Sequence, residues 1–134
     1  MKSIFLVALI LVSIHIKGQD STYTEKEVSI SQWVDGTLLV PKNTQKPDLA
    51  IIIAGSGPTN RNGNQNFMKN NALKKLAVAL GKNGIASFRY DKRSAKQIRQ
   101  GRMDSNIMFD DFASDASDVI SYFQSKNNFN KLIV

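Results

Sequence analysis

No cysteine occurs in the 134 residues. Its absence excludes disulfides, thiolate metal sites, a cysteine nucleophile and a lipid-modified N-terminal cysteine for this chain. Histidine is nearly as scarce. His15 is the only one, so beyond it no imidazole is available as a general base or metal ligand. The apolar run from Ile4 to Ile14 falls short of the roughly 20 residues that a membrane-spanning helix needs. It follows Met1-Lys2 and precedes the polar Lys17-Gly18-Gln19-Asp20, the pattern of a secretory leader. Residues 1–18 are therefore expected to be a signal peptide cleaved after Gly18. Residues 19–134 are expected to be the exported part, periplasmic or secreted, with no stable membrane insertion after cleavage.

What is present fits one partial globular domain, with 42% hydrophobic and 22% charged residues. The net charge is +7, of which Lys2 and Lys17 supply two, leaving +5 for the exported part. Lysines 69, 74, 75, 82, 92 and 96 are spread along a helix and the next loop without interleaved aromatics. That pattern reads as a solvated basic face rather than a nucleic-acid site.

Glu27 to Val34 alternates polar and apolar residues, Asp35-Gly36 is a turn dipeptide, and Thr37-Leu38-Leu39-Val40 ends at Pro41. A β-hairpin with its turn at Asp35-Gly36 is expected. After the polar stretch from Lys42 to Pro47 comes Leu49-Ala50-Ile51-Ile52-Ile53-Ala54, six apolar residues suited to a strand covered on both faces. It runs into Gly55-Ser56-Gly57-Pro58-Thr59-Asn60-Arg61, where backbone donors released from the ladder can point at a ligand. Asn70 or Asn71 can cap a helix carrying Leu73, Leu76, Ala77 and Leu80 on one face, with Gly81 and Gly84 marking its end. A strand at Ile85–Tyr90, a long basic loop from Asp91 to about Asn106, a helix from Phe109 to about Lys126 and a strand at Lys131–Val134 complete the order. Phe109, Phe112, Ala113, Ala116, Val119, Ile120 and Phe123 mark the apolar face of that last helix, and Asn127-Asn128 closes it. Asp110 and Asp111 stand where its dipole favours anions. The expected fold class is α/β: an antiparallel hairpin entry, then parallel βαβαβ, in an incomplete sheet.

The turn before Thr37–Pro41, the strand into Gly55-Ser56-Gly57-Pro58 and the segment Phe88-Arg89-Tyr90-Asp91-Lys92-Arg93 together resemble the N-terminal part of α/β-hydrolases. The nearest branches are exported bacterial esterases and serine-aminopeptidase-like enzymes. The resemblance covers Val28 to Val134, with Ala54-Gly55 where many members have His-Gly. It implies that the loop after the third strand supplies an oxyanion-hole donor, the N–H of Ser56 or, as second choice, of Gly57; Pro58 has no N–H. It also implies that the aspartate and arginine of the Arg89–Arg93 segment brace the active-site side of the sheet. Members usually continue Arg-Gly where this chain has Arg93-Ser94, and a serine adopts positive φ less readily than glycine.

In that family the nucleophile follows the fifth strand in a Gly-x-Ser-x-Gly elbow, and the acid and histidine come later. Lys131–Val134 resembles that fifth strand, so nucleophile, acid and histidine are expected beyond Val134, and Ser56 is not the nucleophile. The function implied is part of an exported serine hydrolase acting on a small-molecule ester or short peptide, with no metal or organic cofactor, and inactive as these 134 residues alone. The alternative is a truncated, non-catalytic binding module. A dinucleotide site fits less well: Asn60 holds the third glycine's place and Pro58 intrudes. Gly81-Lys82 is followed by Asn83 rather than Ser or Thr, which removes a phosphate loop. Asn60 to Asn64 offers no carboxylate for calcium and reads as a hydrogen-bonded turn. Asp110, Asp111, Asp115 and Asp118 read as the capping and solvated outer side of their helix.

Overall fold

The computed structural model describes residues 22–102 and 104–134; the expected leader, residues 1–18, lies outside them. The strands are β1 (Tyr23–Ser29), β2 (Asp35–Pro41), β3 (Leu49–Ile52), β4 (Ala86–Tyr90) and β5 (Leu132–Ile133), and the helices are α1 (Ala72–Lys82), α2 (Arg93–Arg99) and α3 (Phe109–Lys126). They form a mixed α/β fold around one five-stranded sheet of order β1-β2-β4-β3-β5. β2 is antiparallel to both β1 and β4, whereas β3 runs parallel to β4 and to β5.

Both faces of the central strands β2, β4 and β3 are covered, as the unbroken apolar run in β3 requires, while β1 is mostly exposed. Adjacent residues point to opposite sides, so Leu38, Ile51 and Phe88 pack with Val119 and Phe123 of α3. Leu39 and Ile52 pack with Ala77 of α1. Phe88 is the anchor of the α3 side, fully buried, with the Phe123 ring 4.9 Å away.

The hairpin turn is not at Asp35-Gly36. Both residues belong to the ladder, Asp35 opposite Ser29 and Gly36 opposite Val28. The reversal occupies residues 30–34, where the Ile30 N–H donates to the Val34 carbonyl at 2.9 Å and the Val34 N–H to that of Ser31 at 3.2 Å. The glycine serves a close approach instead. A Cβ at residue 36 would stand 2.3 Å from Phe88 Cζ and 2.6 Å from the Arg89 carbonyl oxygen. Gly36→Ala should therefore cost about 2 kcal/mol through overpacking, read as a lower urea midpoint at unchanged m-value.

Other boundaries shift for equally local reasons. Gly81 lies inside α1, buried where a Cβ would meet Leu39 Cδ2 at 2.3 Å, and the helix ends at Asn83-Gly84. Asn71 takes the N-cap position with φ 53°, and it is the Asn70 side chain that accepts the Ala72 N–H, at 2.9 Å. The stretch expected as a loop from Asp91 to Asn106 contains α2, which buries Ala95 and Gln97. Ser94 is helical there, so the feared positive φ does not arise. α3 starts and ends where its pattern placed it, with the Met108 N–H donating to Asp111 Oδ2 at 2.9 Å.

Candidate functional site

β3 and β4 are neighbours, yet the chain leaves β3 for α1 on one face and leaves β4 for α2 and α3, the latter on the other. Adjacent parallel strands whose connections part in this way leave a crevice at their carboxyl ends. A cavity of about 560 Å³ lies there, lined by Ile53 to Gly57 after β3, Tyr90 at the end of β4 and Lys92 beyond it, and Phe109, Phe112, Ala113, Asp115 and Ala116 of α3.

The loop after β3 is held by its carbonyls. Lys92 Nζ donates to the Gly55 oxygen at 3.0 Å, and Gln65 Nε2 and Thr59 Oγ1 donate to that of Ser56 at 2.9 and 3.2 Å. The Thr59 N–H closes a tight turn on the Gly57 oxygen at 2.9 Å. Gly57 needs its glycine: φ is 82°, and a Cβ would lie 2.9 Å from Gln65 Nε2. Among the described residues the N–H groups of Ser56 and Gly57 have no acceptor, and both residues are exposed on the cavity wall. The pattern is a loop with its acceptors occupied and its donors open.

A buried carboxylate fixes this loop to β4. Asp91, 1% exposed, accepts the Arg61 N–H at 2.8 Å, Arg61 Nε and Nη2 at 3.0 and 2.7 Å, and Arg99 Nη2 at 2.9 Å. Arg61 also pairs with Glu27, tying the loop to β1. Burial pushes the Asp91 carboxyl up, but the hydrogen bonds from Arg99 and Arg61 outweigh it and hold the group below its usual range. The second brace is Arg93, whose Nε and Nη2 grip the two oxygens of Asp115 at 2.9 and 2.7 Å while Nη1 reaches Asp111 at 2.7 Å.

No family model and no curated protein matches the chain. What the site can do rests on its own groups.

Of the residues singled out in the sequence, Ser56 and Gly57 line the cavity, while the Asp110–Asp118 group divides. Asp115 is not on the outer side of α3 but 2% exposed, drawn inward by Arg93. Among the described residues no group of three or more His, Cys, Asp or Glu could hold a metal ion. The Asn60–Asn64 segment is a hydrogen-bonded turn, with Asn60 Oδ1 accepting the N–H groups of Asn62 and Asn64 at 2.9 and 3.1 Å.

The basic face is also smaller than its lysines suggested. Lys69, Lys74, Lys75 and Lys82 are exposed, but Lys96 pairs with Asp35 at 2.5 Å and Lys92 turns into the cavity. Lys92 Nζ stands 4.4 Å from the centre of the Phe112 ring, and burial lowers its pKa. Tyr90 and Phe109 are cavity residues that sequence reasoning did not select. Phe109 was expected on the packed face of α3 and is instead 82% exposed.

Proposed function

We propose that this chain is the N-terminal part of an exported serine hydrolase that cleaves carboxylic esters or, in the second instance, short peptides or amides. The reading rests above all on the N–H groups of Ser56 and Gly57, which have no acceptor among the described residues and stand at the carboxyl end of a parallel strand beside a cavity. The hairpin entry followed by parallel strands supports the same α/β-hydrolase reading.

The chemistry follows from the donors. Attack of a serine hydroxyl on a carbonyl carbon makes a tetrahedral oxyanion, and preorganised N–H donors stabilise it by about 3 kcal/mol each. In this reading Ser56 N–H, or Gly57 N–H, provides one donor, and the N–H after the nucleophile provides the other. Ser56 is not itself the nucleophile, because a serine needs a base to take its proton and no histidine follows His15. Nucleophile, acid and histidine are therefore groups from outside these residues, and export directed by Met1–Gly18 belongs to the same proposal.

The test is the coding sequence after residue 134, together with turnover of a short-chain aryl ester by the 134-residue chain. The expected result is a glycine-flanked serine within a few residues and no turnover by the chain alone. A stop codon directly after Val134, or turnover abolished by replacing one of the chain's own serines, would overturn the proposal.

A further inference from the structure

The cavity holds two polar groups that an oxyanion loop does not explain. Tyr90 is 5% exposed and lines the cavity, and its hydroxyl has no hydrogen-bond partner among the described residues. The hydroxyl is not among the fully buried unpartnered atoms of the described residues, so it opens to the cavity with a donor free for an acceptor arriving there. Burial, with a smaller contribution from Asp115, pushes its pKa up to about 12, which keeps it a donor at neutral pH.

Lys92 is the second group. An ammonium has three donors, of which one goes to the Gly55 carbonyl. No carboxylate among the described residues is within ion-pair distance of Lys92. Asp115 also lines the cavity, but both its oxygens are taken by Arg93. The polar inventory is therefore unbalanced, with donors and a half-buried cation open and the nearby acceptors occupied. The aromatic rings of Phe109 and Phe112 form the apolar part of the same wall.

We propose that Tyr90 and Lys92 bind the carboxylate of a small apolar acid, of the size of 3-phenylpropionate, whose hydrocarbon body lies against Phe109 and Phe112. A cavity of about 560 Å³ is within the usual range for a ligand of this class. The site is complete within this chain and does not depend on the hydrolase reading; where that reading holds, such an acid is the acyl product of the ester cleaved.

The experiment is a titration of the 134-residue chain with 3-phenylpropionate, followed by amide chemical shifts, with 3-phenylpropanamide as the uncharged control. Saturable shifts are expected at Gly55–Gly57, Tyr90–Arg93 and Phe109–Ala113. The amide should bind at least about tenfold more weakly, and Lys92→Met and Tyr90→Phe should each weaken the acid by about tenfold, as loss of a hydrogen bond to a charged group does. Tyr90→Phe should leave the urea midpoint unchanged, because the hydroxyl opens to the cavity and has no partner among the described residues to lose. Failure to saturate, equal affinity for acid and amide, or shifts confined to another face would overturn the inference. A glycine-flanked serine downstream together with no acid binding would remove this inference alone; acid binding together with a stop codon after Val134 would remove the hydrolase reading alone.

Discussion

Asp91→Ala should destabilise the fold by about 3–5 kcal/mol, the range for breaking a buried ion pair by deleting one partner. The carboxylate is 1% exposed and accepts four hydrogen bonds, three from Arg61 and one from Arg99. Removing it orphans the Arg61 backbone N–H and leaves the half-buried Arg61 with Glu27 as its remaining carboxylate partner. Because Arg61 lies on the loop that carries Ser56 and Gly57, the loss acts on the cavity as well as on stability. Urea unfolding followed by circular dichroism measures the first effect. A difference below about 1 kcal/mol would show that water replaces the carboxylate at small cost, against the usual price of an uncompensated buried charge.

The same group sets a pH dependence whose sign is fixed. Its folded pKa is held below the unfolded value of about 3.9. The stabilisation is thus fully present above the unfolded value and is lost as pH falls through the folded one. Urea midpoints should fall steeply below about pH 4 in the native chain and less steeply in Asp91→Asn. Asp35, whose carboxyl is also lowered because hydrogen bonds from Lys96 and Ser29 outweigh its burial, keeps part of the acid sensitivity in that variant. Equal slopes for the two proteins would remove Asp91 as the source.

The features legible in the sequence are those with short-range causes. The apolar run from Leu49 announced a strand covered on both faces because apolar residues are favoured there, although the strand itself ends at Ile52 and Ile53 is 47% exposed. α3 announced itself through apolar residues at helical spacing over about four turns. The loop at Gly55–Gly57 was legible because two glycines at the end of an apolar strand are a local signal. The Asp35-Gly36 turn was misread for a non-local reason: the glycine makes room for the Phe88 ring from a strand about 50 residues away. A single apolar-poor stretch likewise hid α2, which is held by Lys96 to Asp35 and by Arg99 to Asp91 rather than by an apolar stripe. Asp115 could have been found. It stands four residues before Val119 and eight before Phe123, on the same stripe of α3, so an inward carboxylate needing a cation was implied by spacing alone.

That inward carboxylate yields the second large effect. Arg93→Met should cost about 3–5 kcal/mol, because Asp115, 2% exposed, loses its only hydrogen-bond donor among the described residues. The variant also loses the bond to Asp111 and the stacking of the guanidinium 5.3 Å from the Trp33 ring centre. Methionine fills most of the arginine stem's volume, so the cost reports the stranded charge more than a cavity. Adding Asp115→Leu to Arg93→Met removes that charge and extends the apolar stripe of Val119 and Phe123. The double variant should regain about 2 kcal/mol or more relative to the single one, a non-additivity expected of directly paired groups. Asp115→Leu alone leaves Arg93 paired with the more exposed Asp111 and should cost less than Arg93→Met. If the double variant instead falls as far as the two single changes together, the pair acts through packing of α2 against α3, and charge compensation is not what holds Asp115 inside.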